Sequence, residues 1–120
     1  MNIPKVFESE YRFCLIMWEN EPASCSELAS ISKEHLGWSR TTTYTVIKRL
    51  CGRGVLKKEG SIVSALFSKE EMQVSEMNEL LEKKFEGSIP AFIAAFAKRQ
   101  ELSQKDIEVI QKIVTSGGKK

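Results

Sequence analysis

The 120 residues hold 18 basic and 16 acidic side chains, 42% hydrophobic residues and a formal net charge of +2, the balance of an ordinary soluble chain with room for one domain or two very small ones. A body of this length hides little of its surface, so partner surface is expected to supplement its core. No apolar stretch approaches the roughly 20 residues that cross a bilayer, and Met1-Asn2-Ile3-Pro4-Lys5 lacks a signal-peptide core; a cytoplasmic protein with no direct membrane insertion is expected.

Glu8 to Asn20 predicts a first helix, with Tyr11, Leu15 and Trp18 at helical spacing and Cys14 and Met17 widening the stripe. Pro22 opposes continuation. Ser24 with Glu27 three residues on forms a capping box for a second helix reaching about His35, with Leu28 and Ile31 facing inward, Leu36 near its end and Gly37 as terminator. Ser39 caps a third helix from Arg40 to about Arg53, whose inward set is Thr43, Val46, Ile47 and Leu50. Its opposite face presents Arg40, Thr41, Tyr44, Thr45 and Lys48, with Arg40, Tyr44 and Lys48 stacked at i, i+4 spacing. Gly54 releases the chain, and Val55 to Lys58 and Ile62 to Phe67 predict two strands around Glu59-Gly60-Ser61. Three helices followed by a hairpin predict a winged helix, its second and third helices forming the helix-turn-helix element.

From Ser68 the character changes. Ser68 with Glu71 caps a helix from Lys69 to Phe85 that carries Met72, Met77, Leu80, Leu81 and Phe85 on a broad apolar side. Gly87-Ser88 breaks it. Ile89 to Arg99 is densely apolar, with Pro90 in its first turn, and Ser103 with Asp106 caps a last helix. Such short helices make a poor core alone and a good one when paired with a second copy. The expectation is therefore a mainly α chain with a small β-hairpin: a winged helix-turn-helix over 1–68 and a helical dimerisation domain over 69–120. The homodimer surface is assigned to Leu80, Leu81, Phe85, Ile89, Phe92, Ile93, Phe96, Ile107, Ile110, Ile113 and Val114.

Charge placement singles out the third helix and hairpin. Residues 1–68 hold nine basic and seven acidic side chains, and residues 69–120 hold nine of each. Leu36 to Lys58 carries six bases (Arg40, Lys48, Arg49, Arg53, Lys57 and Lys58) and no acid. A polyanion fits that surface. Arg49, Arg53, Lys57 and Lys58 suit phosphate contacts, which release counterions without reading sequence. Arg40, Thr41, Tyr44, Thr45 and Lys48 suit base edges, since Arg and Lys donate to guanine and Thr methyls pack on thymine. Thr42 sits at the helix start, whose amides favour phosphate; for Thr42 and Tyr44 a purely structural role is the alternative. The partner expected is double-stranded operator DNA, and a protein-interaction module built on the same winged helix is the competing class. Catalysis finds no residues. His35 is the one histidine and lacks an acid partner or nucleophile, and Glu8, Glu10, Glu70 and Glu71 read as solvated. Cys14, Cys25 and Cys51 form no CxxC pair and read as buried free thiols. No enzyme activity, cofactor or metal is expected.

Ile3-Pro4-Lys5, Glu10-Tyr11 through Met17-Trp18, Gly37-Trp38-Ser39-Arg40-Thr41-Thr42, then Thr45, Arg49, Leu50, Arg53-Gly54, Ser68-Lys69-Glu70-Glu71, Gly87-Ser88 and Phe96 together give a chain that resembles the penicillinase repressor family along almost its whole length. That family includes the beta-lactamase, methicillin-resistance and copper-responsive repressors. The resemblance implies an N-terminal winged helix, a helical dimerisation domain, and dimers that repress promoters by occupying operators. In antibiotic-responsive members it further implies a membrane sensor system leading to proteolysis at an Asn–Phe bond. The matching bond here is Ala95–Phe96, where alanine keeps helix propensity but removes the polar half of the site. Copper-responsive relatives use a C-terminal cysteine cluster, and no cysteine follows Cys51. Two further departures are Phe7 at the position of a capping Ser and Ser61-Ile62-Val63-Ser64 in place of an Arg/aromatic spacing after the hairpin glycine.

Overall fold

In the computed structural model, which describes residues 3–99 and 102–117, helices begin and end where the chain can satisfy the backbone groups a helix leaves unpaired. α1 (Glu8–Asn20) starts at Phe7, whose ring cannot accept a hydrogen bond; Glu10 Oε1 instead accepts from Phe7 N at 2.8 Å. α2 (Cys25–Leu36) opens on the expected capping box: Ser24 Oγ accepts from Glu27 N at 3.0 Å and Glu27 Oε1 accepts from Ser24 N at 2.9 Å. It closes on Gly37, whose φ of +72° is a left-handed cap that a side chain would strain. α3 (Arg40–Gly52) is capped by Ser39 Oγ, which accepts from Thr42 N at 3.1 Å.

The hairpin consists of β2 (Leu56–Glu59) and β3 (Ile62–Ala65), turning at Gly60 with φ +64°. Lys58 opposes Val63 and Leu56 opposes Ala65. A third strand, β1 (Ala23–Ser24), pairs antiparallel with β3 through Ala23–Val63 and Ser24–Ile62, giving the order β1-β3-β2. The sequence reading has only the hairpin, because two residues display no periodicity. The third strand bonds the start of α2 to the wing, and Cys25 N donates to Ser61 O at 2.8 Å beside it.

The core of this winged helix-turn-helix gathers Phe13 and Met17 of α1, Leu28 of α2, Val46, Ile47 and Leu50 of α3, and Val55, Leu56 and Val63 around the sheet. The inward set expected for α3, Thr43 included, is buried throughout. On α1 the buried face is Glu10, Phe13, Cys14 and Met17, while Tyr11, Leu15 and Trp18 are half-buried at its margins. This corrects the expected stripe by about one residue around the helix. The correction has a physical basis: Trp18 at the margin buries its ring edge and still donates its Nε1–H to Phe67 O at 3.0 Å. Phe13, at the centre, stacks on Trp38 with centroids 5.8 Å apart. Glu10 corrects a second expectation, since it is 2% exposed rather than solvated.

The chain divides into two compact units, Met1–Met77 and Asn78–Lys120. α4 (Lys69–Phe85) begins in the first, where Met72 joins the core, and its Ser68 cap accepts from Glu71 N at 3.0 Å. The second unit continues through α5 (Ile89–Arg99) and α6 (Gln104–Gly117). Phe92 meets Phe85 edge to face at 5.4 Å and stacks on Phe96 at 6.3 Å.

All three cysteines are free thiols, but only Cys14 is buried; Cys25 and Cys51 are half-exposed. Burial, reinforced by the neighbouring Glu10 carboxylate, pushes the Cys14 thiol up to about 12 from its ordinary 9.0. A thiol reagent should therefore titrate two thiols in the native protein and a third only on denaturation. The same shift has a signed consequence for stability. Above the ordinary thiol value the unfolded chain loses this proton while the folded chain keeps it, so the contribution of Cys14 is constant below pH 9 and falls between pH 9 and 12. Cys14→Ala should flatten that alkaline fall in a denaturant titration.

Candidate nucleic-acid interface

The amphipathic register of α3 decides which side chains face outward. With Thr43, Val46, Ile47 and Leu50 buried, Arg40, Thr41, Thr42, Tyr44, Thr45, Lys48 and Arg49 are left exposed. Arg40 does not hang free. Its Nη1 donates to Tyr44 Oη at 2.6 Å and to Ser26 Oγ at 3.4 Å, and its guanidinium carbon lies 5.7 Å from the Tyr44 ring centre. These bonds from α2 and from one turn along α3 hold the guanidinium over the start of the helix, which reduces the side-chain entropy a contact would otherwise cost. Thr42 belongs to the cap: its hydroxyl accepts from Ser39 Oγ at 3.0 Å. Lys57 and Lys58 are exposed on β2 of the wing, immediately before Glu59.

Arg49 and Arg53 share a different neighbour. Arg53 forms an ion pair with the buried Glu10 carboxylate, donates to Lys5 O at 2.8 Å and lies 5.5 Å from the Phe7 ring centre. Arg49 stands 3.8 Å from the same carboxylate with 55% of its side chain exposed. The outer end of α3 is thus pinned to the entry of α1, and Phe7, exposed and unable to cap, serves as a platform for the Arg53 guanidinium. Sequence reading could not find this pair because Glu10 and Arg53 are 43 residues apart and no local spacing links them.

The residues assigned to an oligomer surface separate by burial. Leu81 is buried in the single chain, and Phe85, Phe92 and Ile107 are half-buried. Leu80, Ile89, Ile93, Phe96, Ile110, Ile113 and Val114 are exposed, and Val109, Val74 and Met77 join them as large exposed apolar side chains outside the original assignment. Ala95 and Phe96 are both exposed in the middle of α5. Among the described residues no group of three His, Cys, Asp or Glu could hold a metal ion, and no helix is long and apolar enough to cross a membrane.

The penicillinase repressor family model matches residues 7–116. The chain belongs to that family. Family members similar to it include the methicillin resistance regulatory protein MecI of Staphylococcus aureus strain Mu50, 24% identical over 114 residues that cover 92% of this chain and 93% of the relative. MecI of Mammaliicoccus sciuri is 23% identical over the same shares. The penicillinase repressor of Staphylococcus aureus is 24% identical over 116 residues, covering 93% and 92%. Family and fold together make this a winged-helix regulatory protein of the DNA-binding type and not an enzyme.

Proposed function

We propose that this family member is a homodimeric, sequence-specific repressor that occupies inverted-repeat operators from the cytoplasm and blocks promoters sterically. The observation that carries the proposal is the outward face of α3. It is polar, free of acids and basic at both ends, and its first reading side chain, Arg40, is already oriented by Tyr44 and Ser26. In this reading Arg40, Thr41, Tyr44, Thr45 and Lys48 approach base edges in the major groove, the helix start at Thr42 receives a phosphate, and Arg49, Lys57 and Lys58 contact phosphates. Arg53 joins them through the 30% of its side chain that Glu10 and Lys5 leave exposed. Two such heads need about 34–36 Å between recognition helices, or a larger helical multiple, to enter successive major grooves.

Binding to DNA from upstream of the protein's own gene, measured against a scrambled duplex over a salt titration, tests this. Preference for the upstream duplex and weakening with salt are expected. Arg40→Ala should cut the preference by about 1–3 kcal/mol at one position of each half-site while leaving non-specific affinity nearly unchanged. Equal affinity for both duplexes at every salt concentration would instead favour a protein-interaction module.

A further inference from the structure

An open cleft of about 840 Å³ separates α3 from the wing, a volume in the range that small-molecule sites occupy. Its floor is Ile47 and Leu56, which are buried, and Leu66 forms an exposed apolar wall. Lys48 on α3 and Lys57 and Lys58 on β2 line it as well, and no acidic side chain does. The two half-exposed thiols, Cys25 and Cys51, also open into it.

The composition is mismatched to duplex DNA alone. Phosphates and base edges can use the lysines, but they gain little from the exposed Leu66 side chain beside them. A molecule with an apolar body and one anionic end satisfies both halves at once: the body covers the exposed Leu66 side chain and the Tyr44 ring, and the head meets the lysines. We infer that this cleft binds a small amphiphilic carboxylate, and that its occupancy antagonises DNA. The antagonism rests on the repressor reading above, because the ligand would engage Lys48, Lys57 and Lys58 and fill the space between recognition helix and wing; the binding site itself does not. A ligand bound only to the free state shifts the DNA equilibrium by mass action, with no conformational change needed.

Cys51 provides a readout that needs no DNA. Burial, followed by the neighbouring Cys25, raises its thiol above the ordinary range, so alkylation is best followed at mildly alkaline pH. The full chain is treated with iodoacetamide in sodium decanoate, 1-decanol or sodium sulfate, and labelling at each cysteine is timed by mass spectrometry. Decanoate should slow Cys51 saturably by about tenfold, with decanol and sulfate each changing it by less than about twofold. Leu66→Asp, which sets a carboxylate in the wall, should abolish the protection, with continued silence of Cys14 showing that the variant is folded. Decanoate should displace upstream DNA over the same concentration range. Equal protection by decanol, no protection by decanoate, or protection surviving in folded Leu66→Asp each overturns the site. Protected Cys51 with DNA still bound overturns the antagonism. If decanoate protects Cys51 while the chain shows no preference for its upstream DNA, the site stands and the repressor reading fails.

Discussion

Arg53→Ala should lower the unfolding free energy by about 3 kcal/mol and the melting temperature by about 10 °C. The Glu10 carboxylate it leaves behind is 2% exposed, and a buried charge deprived of its partner is among the costlier single defects a small protein can carry. Two features keep the value at the lower end of the range for buried pairs: the Arg53 side chain is itself 30% exposed, and Arg49 remains 3.8 Å from the carboxylate. The substitution also removes the bond to Lys5 O and the guanidinium over Phe7. Glu10→Leu combined with Arg53→Met should recover part of the loss, since replacing both charges by apolar groups removes the desolvation penalty along with the attraction. Chemical denaturation of Glu10→Leu, Arg53→Met and the double variant gives the coupling directly. A loss below about 0.5 kcal/mol for Arg53→Ala, the range of ordinary surface substitutions, would show that the pair does not hold α1 to α3. The result also bears on DNA binding. If Arg53 acts through the fold, Arg53→Ala weakens DNA with an unchanged salt slope, whereas Arg49→Ala, as a lost phosphate contact, lowers the slope by about 0.9.

Ile113→Asp should leave the isolated chain almost as stable as before and weaken the proposed homodimer by about a thousandfold or more. Ile113 is 63% exposed in the single chain, and a charge on an exposed helix position costs within about 0.5 kcal/mol. In a twofold dimer each copy carries the substitution, so a cost of about 2 kcal/mol or more per side is counted twice, and 4.1 kcal/mol corresponds to a thousandfold. Ile113 lies with the exposed Ile110 and Val114 on α6, and Ile89, Ile93 and Phe96 on α5 are exposed as well, more large apolar side chains than soluble monomers usually leave uncovered. Sedimentation across a concentration series reads the association. A monomer at all concentrations for the unsubstituted chain, or an unchanged dimer for Ile113→Asp, would remove the second unit from the oligomer. Operator affinity should fall with the dimer, because one reading head loses the effective concentration supplied by the other.

Helix limits were the most legible part of the fold. Ser24 with Glu27, Ser39, and Ser68 with Glu71 each announce a helix start within three or four residues, and the matching bonds form. Local chemistry of this kind depends on short sequence spans, which is why it survives without tertiary context. The exposed face of α3 was legible for the same reason: burial of Thr43, Val46, Ile47 and Leu50 on one side leaves Arg40, Tyr44 and Lys48 on the other. What local pattern could not supply was the fine rotation of α1, the two-residue strand β1 and the cleft between α3 and the wing.

Chain order, helix boundaries, the acid-free basic segment and the apolar density of the last helices followed from the residues themselves, because capping, periodicity and charge are properties of neighbours in the chain. Only the folded structure decided that Glu10 is buried, that Arg53 is bound to it while Arg40 is held over α3, and that Ile47, Leu56 and three lysines line one cleft. Those facts join residues far apart in sequence, and an ion pair or a cavity exists only once packing has brought its members within a few ångströms and removed the water between them.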